Sequence, residues 1–377
     1  MLLVAANAGA ADRDEWHMEY KFKQRISICE MLNRYSPTED VKEYFAYVAV
    51  PPELDQQRQT HTSFAVNGRF LSFPTTTEQS SYHRPIFMAR LPSLTPPDHT
   101  NITVTAVYET TLYSRQLIPG SGTNLVSALS PVERNLDLKD SWLLDFKSPG
   151  FAAWLRENNL QLQPDESLIA FGRRVGEFVH AHMTYSFPSP TEGKPLSDLC
   201  RVLNGHCGQY ALLFAGIMRA NGIPTRSLAG TWIVTGQGPR HSDAHVKSEF
   251  FVEGIGWVPV DSNHGDFGRE DGDFFACHLY VEEPMELPSP WGGIWRQFYL
   301  QEIYLPCDGG SWDKPTWTHL WTETPLQMPS PPAQKTERTE AQPSAAERLK
   351  ELKDLYDQGL ISKEIYDQKR QQILNSL

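Results

Sequence analysis

The chain has 377 residues, 40% of them hydrophobic, which is enough for two ordinary domains and an appendage and excludes a disordered protein. Its 46 acidic against 34 basic residues leave a formal net charge of -12, the wrong sign for gripping a phosphate backbone, so no nucleic acid partner is expected. No run approaches the roughly 20 consecutive apolar residues of a spanning helix, so no membrane span is expected either.

Residues 1–17 read as a signal remnant or tail. Met1 to Ala11 is apolar and turns charged at Asp12, and Ala6, Ala8 and Ala10 alternate as they do before a signal-peptidase cut. The run is short and no Lys or Arg precedes it. The expectation is an extracytoplasmic protein, periplasmic or secreted, with an apolar tail on a cytoplasmic protein as the alternative. Residues 18–135 carry short period-two runs: Ile102, Val104, Ala106 and Tyr108 alternate with Thr103, Thr105 and Val107. Asn67-Gly68 suits a tight hairpin turn because both residues tolerate positive φ. The pattern predicts an N-terminal β-sandwich with a structural or binding role.

Residues 136–324 change to helical spacing. Asp165 can cap a helix bearing Leu168, Phe171, Val175, Phe178, Val179 and His182, closed by Tyr185 and Pro188. A stronger helix over 207–220 turns Leu212, Leu213, Gly216, Ile217 and Ala220 to a core and stops at Asn221-Gly222 and Pro224. Strand patterns return over 231–261, so helices before strands give an α+β domain. Residues 325–346, rich in Pro, Ser, Gln, Glu and Lys, read as a linker. Residues 347–377 read as a C-terminal two-helix hairpin: Leu349, Leu352, Leu355 and Tyr356 form one stripe, Gly359 interrupts it, and Ser362 caps a helix with Ile365, Tyr366, Ile373 and Leu374. Two helices this short cannot cover their own stripe, so self-association or docking on a partner is expected of them.

Five cysteines (29, 200, 207, 277 and 307) are too few and too scattered for a disulfide scaffold, and no CxxC pair suggests structural zinc. One of them has the setting of a nucleophile. Cys207 follows a glycine-containing loop and begins a helix, where the dipole favours a thiolate and the first N–H groups point to a developing oxyanion. A nucleophilic thiol needs a base, and the base needs a group to hold its tautomer. His245 opens the strand over 245–252 and Asp261 ends the strand over 257–261, so a hairpin with its turn at 254–256 brings them together. The register of that hairpin is open, because a bulge would change which face each side chain takes.

Four motifs, Cys207-Gly208-Gln209-Tyr210-Ala211, Arg219-Ala220-Asn221-Gly222-Ile223-Pro224-Thr225-Arg226, His245, and Gly256-Trp257-Val258-Pro259-Val260-Asp261, resemble in order the core of the bacterial transglutaminase-like superfamily. The resemblance spans about residues 165–265 and implies a papain-like α+β core with catalytic Cys207, His245 and Asp261, no cofactor and no metal. The upstream region is similar to the β-rich domains such proteins carry, and the C-terminal segment resembles a SHOCT domain. Two departures stand out: His245-Val246-Lys247 replaces His-Ala-Trp, and Ser262-Asn263 follows Asp261 in place of Pro-Thr.

Among the other candidates, His206 reads as a loop residue pointing away, and His241 and His264 have no partner spacing. A zinc set of Cys207, His206, His241 and His245 lacks short paired spacing. Arg219 and Arg226 suit acidic partners or helix-end carbonyls, and Trp291, Trp295, Trp312, Trp317 and Trp321 suit wrapping over the catalytic domain. The function expected is cysteine-dependent acyl transfer on amide or peptide bonds of a protein or peptide substrate, hydrolysis before cross-linking. The alternative is a non-enzymatic binding or assembly protein that uses the fold as a scaffold.

Overall fold

The period-two pattern of the first third becomes long antiparallel strands in the computed structural model, which describes residues 12–35, 43–72, 75–92, 101–122, 125–289, 292–308, 316–326, 349–350, 352–353 and 363–374. These strands are β1 (Trp16–Tyr35), β2 (Glu43–Ala49), β3 (Gln57–Val66), β4 (Arg69–Leu71), β5 (Thr75–Thr77), β6 (Pro85–Pro92) and β7 (Asn101–Pro119). Asn67 and Gly68 join β3 to β4 with φ of 47° and 76°, the two-residue turn their types allow. Ile102, Val104, Ala106 and Tyr108 all face inward, with Ile26 and Ile28 of β1 and with Tyr44, Tyr47 and Ile86 of β2 and β6, in one apolar core.

The middle of the chain builds helices α1 (Pro131–Asp137), α2 (Pro149–Glu157), α3 (Leu168–His182), α4 (Leu196–Val202) and α5 (Cys207–Ala220), with the short strands β8 (Thr184–Tyr185) and β9 (Asn204–Gly205) between them. The cap of α3 is Ser167, not Asp165: its hydroxyl accepts from the N–H of Ala170. Asp12 reaches the same helix end from the far N-terminus and accepts from the N–H groups of Leu168 and Ile169. Helix α5 is buried on every side from Gly208 to Arg219, wider than the single stripe expected of it, because α3, α4 and a sheet all pack on it.

That sheet is β13-β12-β11-β10-β15, made of β10 (Thr225–Trp232), β11 (Ala244–Val252), β12 (Gly256–Asp261), β13 (Asp266–Phe267) and β15 (Phe274–Leu279). Between the last two, β14 (Arg269–Glu270) pairs with β7 and ties the two sheet systems together. The remaining strands are β16 (Met285–Pro288), β17 (Ile294–Gln297), β18 (Cys307–Asp308) and β19 (Thr316–Leu326). They complete the N-terminal architecture: β19 pairs with β1 along its length, giving the order β19-β1-β7-β3-β4, and β18 extends β2-β6-β5. Trp321 is fully buried in the N-terminal core and Trp295 packs on it, so these rings do not wrap the helical core. Trp291 and Trp312 lie outside the described residues.

Residues 1–326 form one compact unit and Gln327–Leu377 another. In the second, α6 (Lys363–Leu374) corresponds to the later of the two expected helices. The earlier one falls mostly outside the described residues, although 349–350 and 352–353 are helical. No helix of the described residues is long and apolar enough to cross a membrane.

Candidate active site

The start of α5 sets Cys207. His206 is the helix N-cap, its Nδ1 accepting from the Gly208 N–H at 3.1 Å, while Gln209 Oε1 accepts from the His206 N–H at 3.1 Å. Cys207, at the first helical position, has no intrahelical acceptor for its own N–H, which stays available at the positive end of the helix dipole. Gly208 must lack a side chain, because a Cβ there would sit 2.4 Å from the Tyr299 hydroxyl and 3.0 Å from His206 Cε1.

His245 and Asp261 come from the hairpin. Strands β11 and β12 pair from Ser248 opposite Val260 to Val252 opposite Gly256 without a bulge. Extending that register by one residue sets Asp261 across from Lys247, two positions from His245, so all three side chains share a face. Asp261 Oδ2 lies 2.7 Å from His245 Nε2. With Nε2 engaged, Nδ1 is the nitrogen left to interact with the Cys207 thiol, which acts with Asp261 to favour the imidazolium. Gln301 donates to the backbone carbonyl of His245 at 2.8 Å and to that of Gly230, its neighbour on β10, at 2.7 Å, holding the strand that carries the base.

Burial alone would push the Cys207 thiol up, but hydrogen bonds from His206 and His245, with their charges, hold it at about 6. Burial likewise opposes the charge on His245, yet the bonds to Asp261 and to Cys207 hold its imidazolium up to about 9. Asp261 stays below the usual carboxylate range despite its burial, because His245 and then His264 stabilise its charge. Between those two values the arrangement stores a thiolate beside an imidazolium, the pair that nucleophilic attack and leaving-group protonation require.

Several neighbours escaped the sequence reading. His206 does not point away: its ring is buried, its Nδ1 is 4.0 Å from Cys207 Sγ, and its Nε2 is 2.5 Å from Glu192 Oε2. The divergence of adjacent side chains holds within a helix, and an N-cap lies outside that geometry. A residue able to cap, placed immediately before the cysteine, was the available signal; Glu192 had none. His264 also belongs to the site. Its Nδ1 is 3.3 Å from Asp261 Oδ2 and its ring stacks on His245 at 4.8 Å and 5°. Trp232 closes that stack, 5.3 Å from His245 and 5.8 Å from His264. Lys247 occupies the place where the family pattern has an aromatic two residues after the histidine: its ammonium pairs with Glu270 and lies 4.6 Å from the Trp232 centroid and 4.0 Å from that of Phe274.

The other candidates settle elsewhere. Arg219 pairs with Glu282 and donates to the carbonyls of Thr225 and Lys139, and Arg226 pairs with Glu249. His241 helps hold the Glu302 carboxylate in its charged form, and among the described residues Cys207, His206, His241 and His245 are not brought together as a metal-binding group. Ligand atoms of His245, Asp261 and His264 lie within 4.8 Å of one another, close enough for a metal, but hydrogen bonds and stacking among the three already account for their positions.

Residues 158–262 match the Transglutaminase-like superfamily model. No curated protein matches the chain. Among solved structures, it is similar to a candidate cysteine protease from Cytophaga hutchinsonii at 10% identity, covering 82% of this chain and 100% of that one with a TM-score of 0.49. It is also similar to the periplasmic domain of TgpA from Pseudomonas aeruginosa, at 16% identity over 62% of this chain and 93% of that one with a TM-score of 0.31. The matched segment holds α3, α5 and β10–β12 together with Cys207, His245 and Asp261, and residues 158–262 are a transglutaminase-like superfamily domain.

Proposed function

We propose that this protein is a cysteine-dependent acyltransferase acting on amide or peptide bonds, with water as its usual acceptor. The observation that carries the reading is the buried relay in which Asp261 holds His245 through Nε2 at 2.7 Å and leaves the other nitrogen to a thiol held at about 6. In that reading the Cys207 proton already rests on His245 Nδ1 near neutrality, and the stored thiolate attacks the carbonyl carbon. The oxyanion forms against the N–H groups at the start of α5. His245 then returns the proton to the departing amine, leaving a thioester, and a water that gives its proton to His245 cleaves that thioester to the acid. Tyr185 and Phe187, 53% and 78% exposed, offer apolar surface beside the nucleophile for the chain flanking the scissile bond.

The test is turnover of a peptide-amide library by the full chain, with amine incorporation measured in parallel. Hydrolysis in the wild type and its loss in Cys207→Ala support the reading. Undiminished hydrolysis in Cys207→Ala ends it, and predominant amine incorporation moves the acceptor from water to amine.

A further inference from the structure

The relay through His245 leaves the second imidazole on the sulfur unexplained. His206 repeats the arrangement of His245: one nitrogen, Nε2, is bonded to a carboxylate, here Glu192 at 2.5 Å, and the other, Nδ1, faces Cys207 Sγ at 4.0 Å. We propose that His206, backed by Glu192, is a second imidazolium of the acyl-transfer centre that stabilises the Cys207 thiolate alongside His245; the inference rests on the reading of Cys207 as the nucleophile. The ring is locked in place for that role, with Phe187 and Tyr299 at centroid distances of 5.8 and 6.1 Å and with Gly208 leaving space for its Cε1.

Helix capping does not explain the arrangement. Capping needs an acceptor for the Gly208 N–H, which an Asn would supply equally well, and makes no demand on the far nitrogen. A carboxylate on that far nitrogen favours the cation. Nδ1 thus has two states. In the neutral ring it accepts from Gly208; in the cation its proton faces the sulfur, and the Gly208 N–H is released beside that of Cys207 at the helix start. The groups facing Cys207 are His206, His245, Tyr185 and Tyr299, and those facing His206 are Glu192, Cys207 and Tyr299. Burial opposes charge on His206, but Cys207 and Glu192 outweigh it and push the ring up to about 9, so the cation is the working form near neutrality. Once the sulfur is acylated its charge is gone, and the cation then favours return of the thiolate as leaving group.

The experiment is the pH dependence of Cys207 alkylation by iodoacetamide in the full chain, followed peptide by peptide by mass spectrometry. Wild type should reach half-maximal rate near the thiol's value of about 6. His206→Asn, which keeps a capping side chain, should move that midpoint up by about one unit or more. Glu192→Gln should move it the same way by less, since Glu192 is 44% exposed and partly screened. Midpoints in both variants equal to wild type overturn the proposal and leave only the cap. If His206→Asn does not fold, Glu192→Gln decides alone by the same criterion. A wild-type midpoint near the roughly 8.5 of a free thiol instead overturns the nucleophile reading itself, and this proposal with it.

Discussion

His245 in the sheet of the transglutaminase-like domain and His319 in the N-terminal sheet are both buried and both bonded to a carboxylate, at 2.7 Å to Asp261 and 2.6 Å to Glu30. Both are held up to about 9 against the cost of burial. Their remaining nitrogens separate them. His319 Nδ1 meets a second carboxylate, Glu302, at 3.1 Å, and Glu30 is further occupied by the Tyr108 hydroxyl at 3.0 Å and the N–H of Ile303. His245 instead meets a thiol that can give up its proton. A perturbed pKa therefore does not by itself mark a histidine that can relay a proton; a partner with an exchangeable proton on its other nitrogen does. The His319 cluster is a clamp joining β1, β19 and the segment before β18.

The sharpest way to break this comparison is to remove each ring. Cys207→Ala and His245→Ala should each lower kcat/KM by on the order of 10⁴ or more, with little change in the urea midpoint for Cys207→Ala and a fall for His245→Ala, which leaves the buried Asp261 with only His264 beside it. His319→Ala should do the reverse: stability falls by about 3–5 kcal/mol, because Glu30 is left buried without its cation, while turnover per folded molecule is kept. Loss of turnover in folded His319→Ala would show that the clamp feeds the site. Next in size, Asp261→Asn should cost about 10²–10⁴ in kcat, since a base in the wrong tautomer still serves part of the time.

A pH series sharpens the same contrast. Activity should rise as Cys207 ionises through about 6 and fall as His245 loses its proton through about 9, giving a bell-shaped kcat/KM profile. The contribution of His319 to stability has a different course. Its pKa is raised on folding, so that contribution is full below the unfolded imidazole value of 6.5 and is lost as pH rises through about 9. His319→Gln should flatten that decline in urea titrations and leave the activity bell in place. The smallest effect expected is from His264→Phe, which keeps the stack on His245 but drops the contact with Asp261: a decrease of about 2–10-fold in kcat, corresponding to about 0.5–1.5 kcal/mol. An unchanged rate would make His264 a bystander to the relay.

Cys207, His245 and Asp261 were legible because each sits at the end of an element whose period and turn residues can be read locally. The face that Asp261 takes was not, since a single bulge between Val252 and Gly256 would have turned it away, and only the bulge-free pairing decides that it meets His245. His206 is a loop residue, as its sequence suggests, but the direction of its ring, toward Cys207 and Glu192, was not legible. Glu192 was not visible, because 14 residues and the helix α4 separate it from the imidazole it holds.

What the sequence by itself determined are the periodic elements: the inward alternation of β7, the Asn67-Gly68 turn, and the start and stop of α5. Each is set by side chains a few positions apart, through steric preference and solvent exclusion. Tertiary structure alone decided that β19 returns 281 to 301 residues later to pair with Arg25–Tyr35 of β1, because ladder hydrogen bonds come from backbone groups that every residue shares. It alone decided, too, that Arg115 of β7 should be buried against Glu249 at 2.7 Å and Glu270 at 2.6 Å, with Lys247 on the far side of Glu270. Taken singly, such charges belong at a surface, and they can be buried only once strands far apart in sequence supply the opposite charges that replace water.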